Sequence, residues 1–262
     1  MSAEPEYRAR FEAFGVPLSV EVDSAELLSR VEANLPPGAR PCASVPEENE
    51  FSLTTPDGVS YDVKYPGQSL AGSSDLEVAL EVLDSRLRAI IALKAPEHIF
   101  VHAGAVARDG RAILIPGPTF SGKTSLVAEF VRAGMLYYSD EFAVLDREGL
   151  VHPYPKPLSL RTRGLSQTDH DVASLGGIAG SDPVPLGMII LARYAPGAPW
   201  HPQPLSPGEA LLAMMANTVP AQERPEQSMA TIRKAIVGAV AVESERGDAA
   251  QVVGQVLDGL AV

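Results

Sequence analysis

Hydrophobic residues recur along this chain with two periods, and the switches between them mark out the elements. Tyr7-Arg8-Ala9-Arg10-Phe11 and Val16-Pro17-Leu18-Ser19-Val20-Glu21-Val22 alternate enough to predict strands. Ser24 is placed to cap a helix over residues 25–34, which Pro36-Pro37-Gly38 ends. Residues 50–54 and 59–65 form a predicted hairpin turning at Pro56-Asp57-Gly58. From 75 to 93, Leu76, Leu80, Leu83, Leu87, Ile90 and Ile91 return at helical spacing, predicting one long amphipathic helix. No chemical motif falls in this region, so residues 1–95 are expected to form a small α/β subdomain.

From Pro96 onward the apolar runs become shorter and more continuous. Residues 99–107 and 112–115 read as paired strands around Asp109-Gly110, and 125–133 as a helix stopping at Gly134. Met135-Leu136-Tyr137-Tyr138 reads as a strand ending at Ser139-Asp140-Glu141. A hairpin follows, 142–146 with 150–154, around Arg147-Glu148-Gly149. Residues 164–184, polar and carrying Gly176, Gly177 and Gly180, read as a mobile loop, and the proline-rich 196–207 as a connection. Met188-Ile189-Ile190-Leu191-Ala192 is a buried strand by its composition, and 206–216 and 227–241 are helical by theirs. The second domain is therefore expected over 96–262.

Charge narrows the class of partner. Among 262 residues, 33 acids against 21 Lys and Arg give a net charge of −12, which argues against non-specific binding to nucleic acid or anionic membranes. Cys42 is the single cysteine, so neither an internal disulfide nor a cysteine metal site can form. The acidic start and the lack of a spanning apolar run make a cytoplasmic protein the expectation, with no membrane partner.

The chemistry centres on Gly117-Pro118-Thr119-Phe120-Ser121-Gly122-Lys123-Thr124, a complete G-x-x-x-x-G-K-T motif between a strand and a helix. Glycines let successive N–H groups and a helix N-terminus point at phosphate oxygens. Lys123 adds charge, and the Thr124 hydroxyl is placed to ligate Mg²⁺; with Ser125, residues 117–125 are the expected nucleotide-binding set.

Asp140 and Glu141 end a strand 17 and 18 residues after Lys123. There one carboxylate can order Mg²⁺ and its neighbour take a proton from an attacking hydroxyl; the plainer alternative is a pair of exposed turn acids. His102 precedes the loop on the first paired strand, where it either stabilises charge near the phosphates or is a hydrogen-bonded core histidine. A metal pair with His98 is disfavoured by its place at a helix-to-strand junction. Arg161 and Arg163 are candidate phosphate clamps or solvated surface charges.

Together, Val101-His102-Ala103-Gly104-Ala105-Val106, the loop, and Gly134 followed by Ser139-Asp140-Glu141 resemble the catalytic core of HPr kinase/phosphorylase over about residues 96–146. That resemblance implies an α/β P-loop kinase core of the HPr kinase and phosphoenolpyruvate carboxykinase type, a mixed sheet with flanking helices, preceded by the small subdomain. It implies ATP and Mg²⁺ as cofactors and phosphorylation of a protein serine. By position, His102 matches the family's active-site histidine and Lys123 its loop lysine. Thr124 matches the Mg²⁺ hydroxyl and Asp140 the first acid. Glu141 stands where the family has the aspartate that accepts a proton. The family's downstream metal-ligating segment has only an echo in Arg163-Gly164-Leu165. The N-terminal region differs as well, so the chain is closer to stand-alone HPr-kinase-related proteins.

The expected activity is thus transfer of the ATP γ-phosphoryl group to a hydroxyl. The acceptor would be serine of a protein or peptide, or a small molecule, with His102 or Arg161 offsetting developing charge. A small-metabolite kinase and a nucleotide-binding regulatory protein without transfer are the alternatives. The family's hexamers leave a homo-oligomer open.

Overall fold

The computed structural model describes residues 7–118, 121–161 and 167–260. The chain divides into two compact units, Met1–Glu97 and His98–Val262.

In the first unit, strands β1 (Tyr7–Ala13) and β2 (Val16–Val22) form an antiparallel hairpin, followed by helix α1 (Ala25–Ala33). Strands β3 (Arg40–Pro41), β4 (Glu50–Thr54), β5 (Tyr61–Tyr65) and β6 (Gln68–Ser73) lead to helix α2 (Leu76–Lys94). The six strands lie in the order β3-β1-β2-β4-β5-β6. Only β2 and β4 pair in parallel, because α1 provides the crossover that parallel pairing requires. Ser24 caps α1 as expected, accepting from the Leu27 N–H, and Asp75 caps α2, accepting from the Glu77 N–H. The heptad-like leucines of α2 place Leu80, Leu83, Leu87 and Ile91 in the core.

The second unit opens with β7 (His98–Arg108) and β8 (Arg111–Pro116), an antiparallel pair turning at Asp109-Gly110. Helix α3 (Lys123–Arg132) and strands β9 (Leu136–Ser139), β10 (Phe142–Asp146), β11 (Leu150–His152), β12 (Leu158–Arg161) and β13 (Gln167–His170) follow. The chain ends with β14 (Val184–Tyr194), β15 (Gln203–Pro204), α4 (Pro207–Ala216), α5 (Pro225–Ala235), β16 (Val240–Arg246) and α6 (Ala249–Leu260).

The main sheet runs β11-β10-β7-β8-β14-β16-β15, with β9 joined to β7. It is mixed: β8, β14 and β16 are mutually parallel, and the β7, β10 and β11 pairings are antiparallel. One face packs Ile99, Val101 and Leu114 against Met214 of α4 and Ile232 of α5. On the other, Val106, Ile113 and Ile115 meet Val127 and Phe130 of α3 and Val252 and Val256 of α6. Burial of both faces explains why these strands read as continuous apolar runs.

Two stretches depart from the sequence expectation. The helix expected over 227–241 stops at Ala235; Gly238 turns the chain at a φ of 78°, and Val240 starts β16, a strand parallel to β14. Periodicity misled here because an apolar helix end runs into an apolar strand without a polar break. Of the loop expected over 164–184, residues 164–166 lie outside the described residues, and part of the rest is regular. β13 pairs with β12, and a 3₁₀ turn spans Val172–Leu175. The Tyr137 N–H donates to the Ile178 carbonyl, and the Gly180 N–H to that of Tyr137, each at 2.8 Å. No helix among the described residues is long and apolar enough to cross a membrane.

Candidate functional site

Strand β7 changes partners at His102, and that handover assembles the site. Its first half pairs with β10, placing Phe142 opposite His102; its second half pairs with β8 and β9. At the junction, the His102 carbonyl accepts from the Gly117 N–H at 3.2 Å, and the Ala103 N–H donates to the Glu141 carbonyl at 3.1 Å. The start of the glycine loop, the histidine and the acidic turn are therefore tied together through backbone.

The loop leads into α3 through Gly122, the helix N-cap, at a φ of 87° that disfavours any side chain. A Cβ there would also lie 2.2 Å from Nη2 of Arg246, which donates to the Gly122 carbonyl at 2.8 Å. Lys123 is partly buried, and its ammonium donates to the carbonyls of Gly117 and Pro118, both at 2.8 Å. Burial pushes its pKa below the usual lysine value, and Asp140 acts in the opposite direction. Thr119 and Phe120 of the expected nucleotide set lie outside the described residues.

Asp140 is 5% exposed, not a solvated turn acid. Its Oδ2 accepts from the Thr124 hydroxyl at 3.1 Å and, at 3.4 Å, from the Ser159 N–H. Its Oδ1 lies 3.0 Å from the Tyr137 hydroxyl and 3.4 Å from Nζ of Lys156. The Tyr137 hydroxyl is also 2.8 Å from the Lys156 carbonyl, and its single proton serves one acceptor at a time. Burial first, and Asp140 second, push the Tyr137 phenol far above its ordinary pKa, so it stays a donor. The Ser139 hydroxyl accepts from the N–H groups of Glu141 and Phe142, at 3.1 and 3.0 Å, fixing the turn that presents both carboxylates. Lys156 Nζ also stands 3.9 Å from Glu141 Oε2.

His102 is not a core histidine. Its side chain is exposed and its ring lies on Phe142, with centroids 4.8 Å apart. The burial of its inner side, then the charge of Lys123, hold its pKa below the ordinary value, which favours the neutral imidazole. His98, four strand positions away and so about 13 Å distant, packs instead against His152, which bonds Asp146 at 2.7 Å. The two histidines of β7 are not a metal pair.

Lys123, Thr124, Asp140, Glu141 and His102 thus gather at one end of the sheet. Arg161, at the end of β12, pairs through its backbone with Gln167 of β13, two positions from the Ser159 whose N–H reaches Asp140. Arg163 lies outside the described residues. Three residues escaped the sequence reading: Tyr137, Lys156 and Arg246. Lys156 sits among Pro153, Pro155 and Pro157 with no spacing rule to single it out, and Arg246 ends a strand whose first two residues fall in the expected helix and whose remainder the sequence reading did not assign.

Among the described residues, no group of three or more His, Cys, Asp or Glu side chains could hold a metal. Thr124 and Asp140 still supply adjacent hard oxygen donors. That pair suits Mg²⁺, which keeps most of its shell as water or phosphate oxygen rather than taking an all-protein cage.

The fold and site define a mixed α/β protein with a glycine-loop helix N-terminus facing two carboxylates. No protein-family model and no curated protein sequence matches the chain. Among solved structures it is similar to the Hpr(Ser) kinase/phosphatase from Coxiella burnetii, with 13% identity over 62% of this chain and 95% of that one, and a TM-score of 0.39.

Proposed function

We propose that the chain is an ATP-dependent phosphotransferase acting on a hydroxyl, with serine in a protein or peptide as the acceptor. The observation that carries this reading is the gathering of Lys123, Thr124, Asp140 and Glu141 around one helix N-terminus, with His102 tied in through Gly117 and Glu141. Loop N–H groups and the α3 N-terminus hold the phosphates, and Lys123 places a positive charge among them. Thr124 and Asp140 would hold Mg²⁺, which neutralises phosphate oxygens when bound. Glu141 accepts the proton of the acceptor hydroxyl as it attacks. Neutral His102 retains an N–H with which to bond an oxygen of the transferred group. The motif resemblance supports serine as the acceptor.

The test pairs two measurements on wild type and Glu141→Gln. Nucleotide binding is expected to survive in the variant while transfer from ATP to serine peptides falls at least a hundredfold. Unchanged transfer would remove Glu141 from the role of base.

A second reading, nucleotide binding without transfer, is favoured by one contact: Lys156 places a cation 3.4 Å from Asp140, where it competes with a divalent ion. Tight ATP binding with no turnover in wild type, across an acceptor panel, would select it.

A further inference from the structure

Of the three parallel strands, β14 and β16 end side by side at Tyr194 and Arg246, and β8 ends at Pro116, three positions earlier in the β14 register. Ligands of open α/β sheets bind beyond such carboxyl ends. The loop and acidic pair use only the β8 side. Beside them lies a separate cleft of about 620 Å³, lined by Gly122, Ser125, Tyr194, Arg246, Gly247 and Asp248 among others. That volume falls within the range of about 300–1,000 Å³ typical of small-molecule sites.

Three observations say what the cleft is built for. Arg246 is 3% exposed and makes no ion pair among the described residues; its bonds go to the carbonyls of Gly122 and Gly247, at 2.8 and 3.0 Å. Asp248, in the same cleft, partly offsets the cost of burying the guanidinium, Nε of Arg246 is left without a hydrogen bond among the described residues, and the loop that Arg246 touches is the phosphate-motif loop. Tyr194 carries an aromatic ring, and the residue is 55% exposed at the rim; Arg246 lies 5.2 Å from the ring centroid. Asp248 spends one carboxylate oxygen capping α6, accepting from the Ala250 and Gln251 N–H groups at 2.9 and 3.1 Å, and its other oxygen has no partner among the described residues.

The direction of a triphosphate along the loop follows. Thr124 faces Asp140, so the terminal phosphate lies on the side of Asp140, Glu141 and His102. Ser125, the next residue of the helix, is exposed and faces the cleft, so the other end of the ligand leaves there.

Resting on the proposed triphosphate reading, we infer that this cleft is the nucleoside subsite. The base stacks on Tyr194, a sugar hydroxyl donates to Asp248, and Arg246 positions the loop against the innermost phosphate.

The test compares ATP with inorganic tripolyphosphate by calorimetry on the full chain, in wild type, Tyr194→Ala, Tyr194→Phe and Asp248→Asn; asparagine retains the α6 cap. Wild type should bind ATP at least tenfold more tightly than tripolyphosphate. Tyr194→Ala should weaken ATP by about tenfold and leave tripolyphosphate unchanged, with Phe restoring ATP. Asp248→Asn should weaken ATP alone. Tripolyphosphate binding as tightly as ATP, or Tyr194→Ala leaving ATP affinity intact, overturns the nucleoside subsite while the phosphate site stands. Failure of both ligands to bind wild type overturns the triphosphate reading and the subsite with it.

Discussion

The Thr124 hydroxyl donates to Oδ2 of Asp140 across 3.1 Å, joining the first turn of α3 to the end of β9. The bond ties the glycine loop to the acidic turn by side chains, as the His102–Gly117 and Ala103–Glu141 bonds do by backbone. These bonds hold the glycine loop, the His102 strand and the acidic turn in one arrangement.

Asp140 is the most heavily bonded group of this network, so its loss should register in stability as well as activity. Asp140→Asn places an amide N–H₂ against a ring of donors and removes the carboxylate nearest Lys156. The expected destabilisation is about 2 kcal/mol by urea unfolding, with ATP-dependent transfer reduced at least a hundredfold. A variant as stable as wild type would show that these bonds carry no net energy.

Tyr137 separates structural support from chemistry. Tyr137→Phe keeps the buried ring and deletes the hydroxyl that lies between Asp140 and the Lys156 carbonyl. About 1 kcal/mol of stability should be lost, and a cycle with Asp140→Ala, which removes the acceptor oxygens, should show strong coupling, since both changes delete the same bond. Additive losses would contradict the direct bond.

His102 makes a pH prediction whose sign is fixed by its lowered pKa. Above the ordinary histidine value of about 6.5, both folded and unfolded chains hold it neutral. As pH falls below that value the unfolded chain takes up the proton first, so stability declines until the lower folded pKa is passed. Thermal unfolding between pH 7.5 and 5 should therefore show a shallower acid-side decline in His102→Ala than in wild type. An equal slope in both would remove His102 as a group whose pKa is depressed.

Gly122→Ala should disable the loop through geometry alone. It combines a positive φ with a Cβ 2.2 Å from Arg246 Nη2, so either the N-cap or the arginine has to move. ATP affinity measured by calorimetry should fall at least tenfold while the far-ultraviolet spectrum is retained. Unaltered affinity would mean that the Arg246–Gly122 contact does not shape the loop.

Most of the first unit could be read in the sequence, because its strands alternate and its helices carry Ser24 and Asp75 caps. The loop, His102, Asp140 and Glu141 were also legible, since each follows from a motif or a fixed spacing along adjacent strands. What stayed hidden depends on long-range packing. Lys156 reaches Asp140 by crossing from a proline-rich connection, and Arg246 reaches Gly122 from a residue 124 positions away in sequence. Neither contact leaves a local pattern. β16 was misread because its apolar residues continue those of α5, and the cleft at Tyr194 could not be anticipated without it.

The proposed reaction is transfer of a phosphoryl group from ATP to a serine hydroxyl. The most direct measurement incubates the full chain with γ-labelled ATP, Mg²⁺ and a serine-peptide library, then locates the label by mass spectrometry. Acid-stable phosphoserine should form only with Mg²⁺ and disappear in Lys123→Ala and Glu141→Gln. Bound but untransferred ATP across the library, or phosphoserine formed equally by Glu141→Gln, would contradict it.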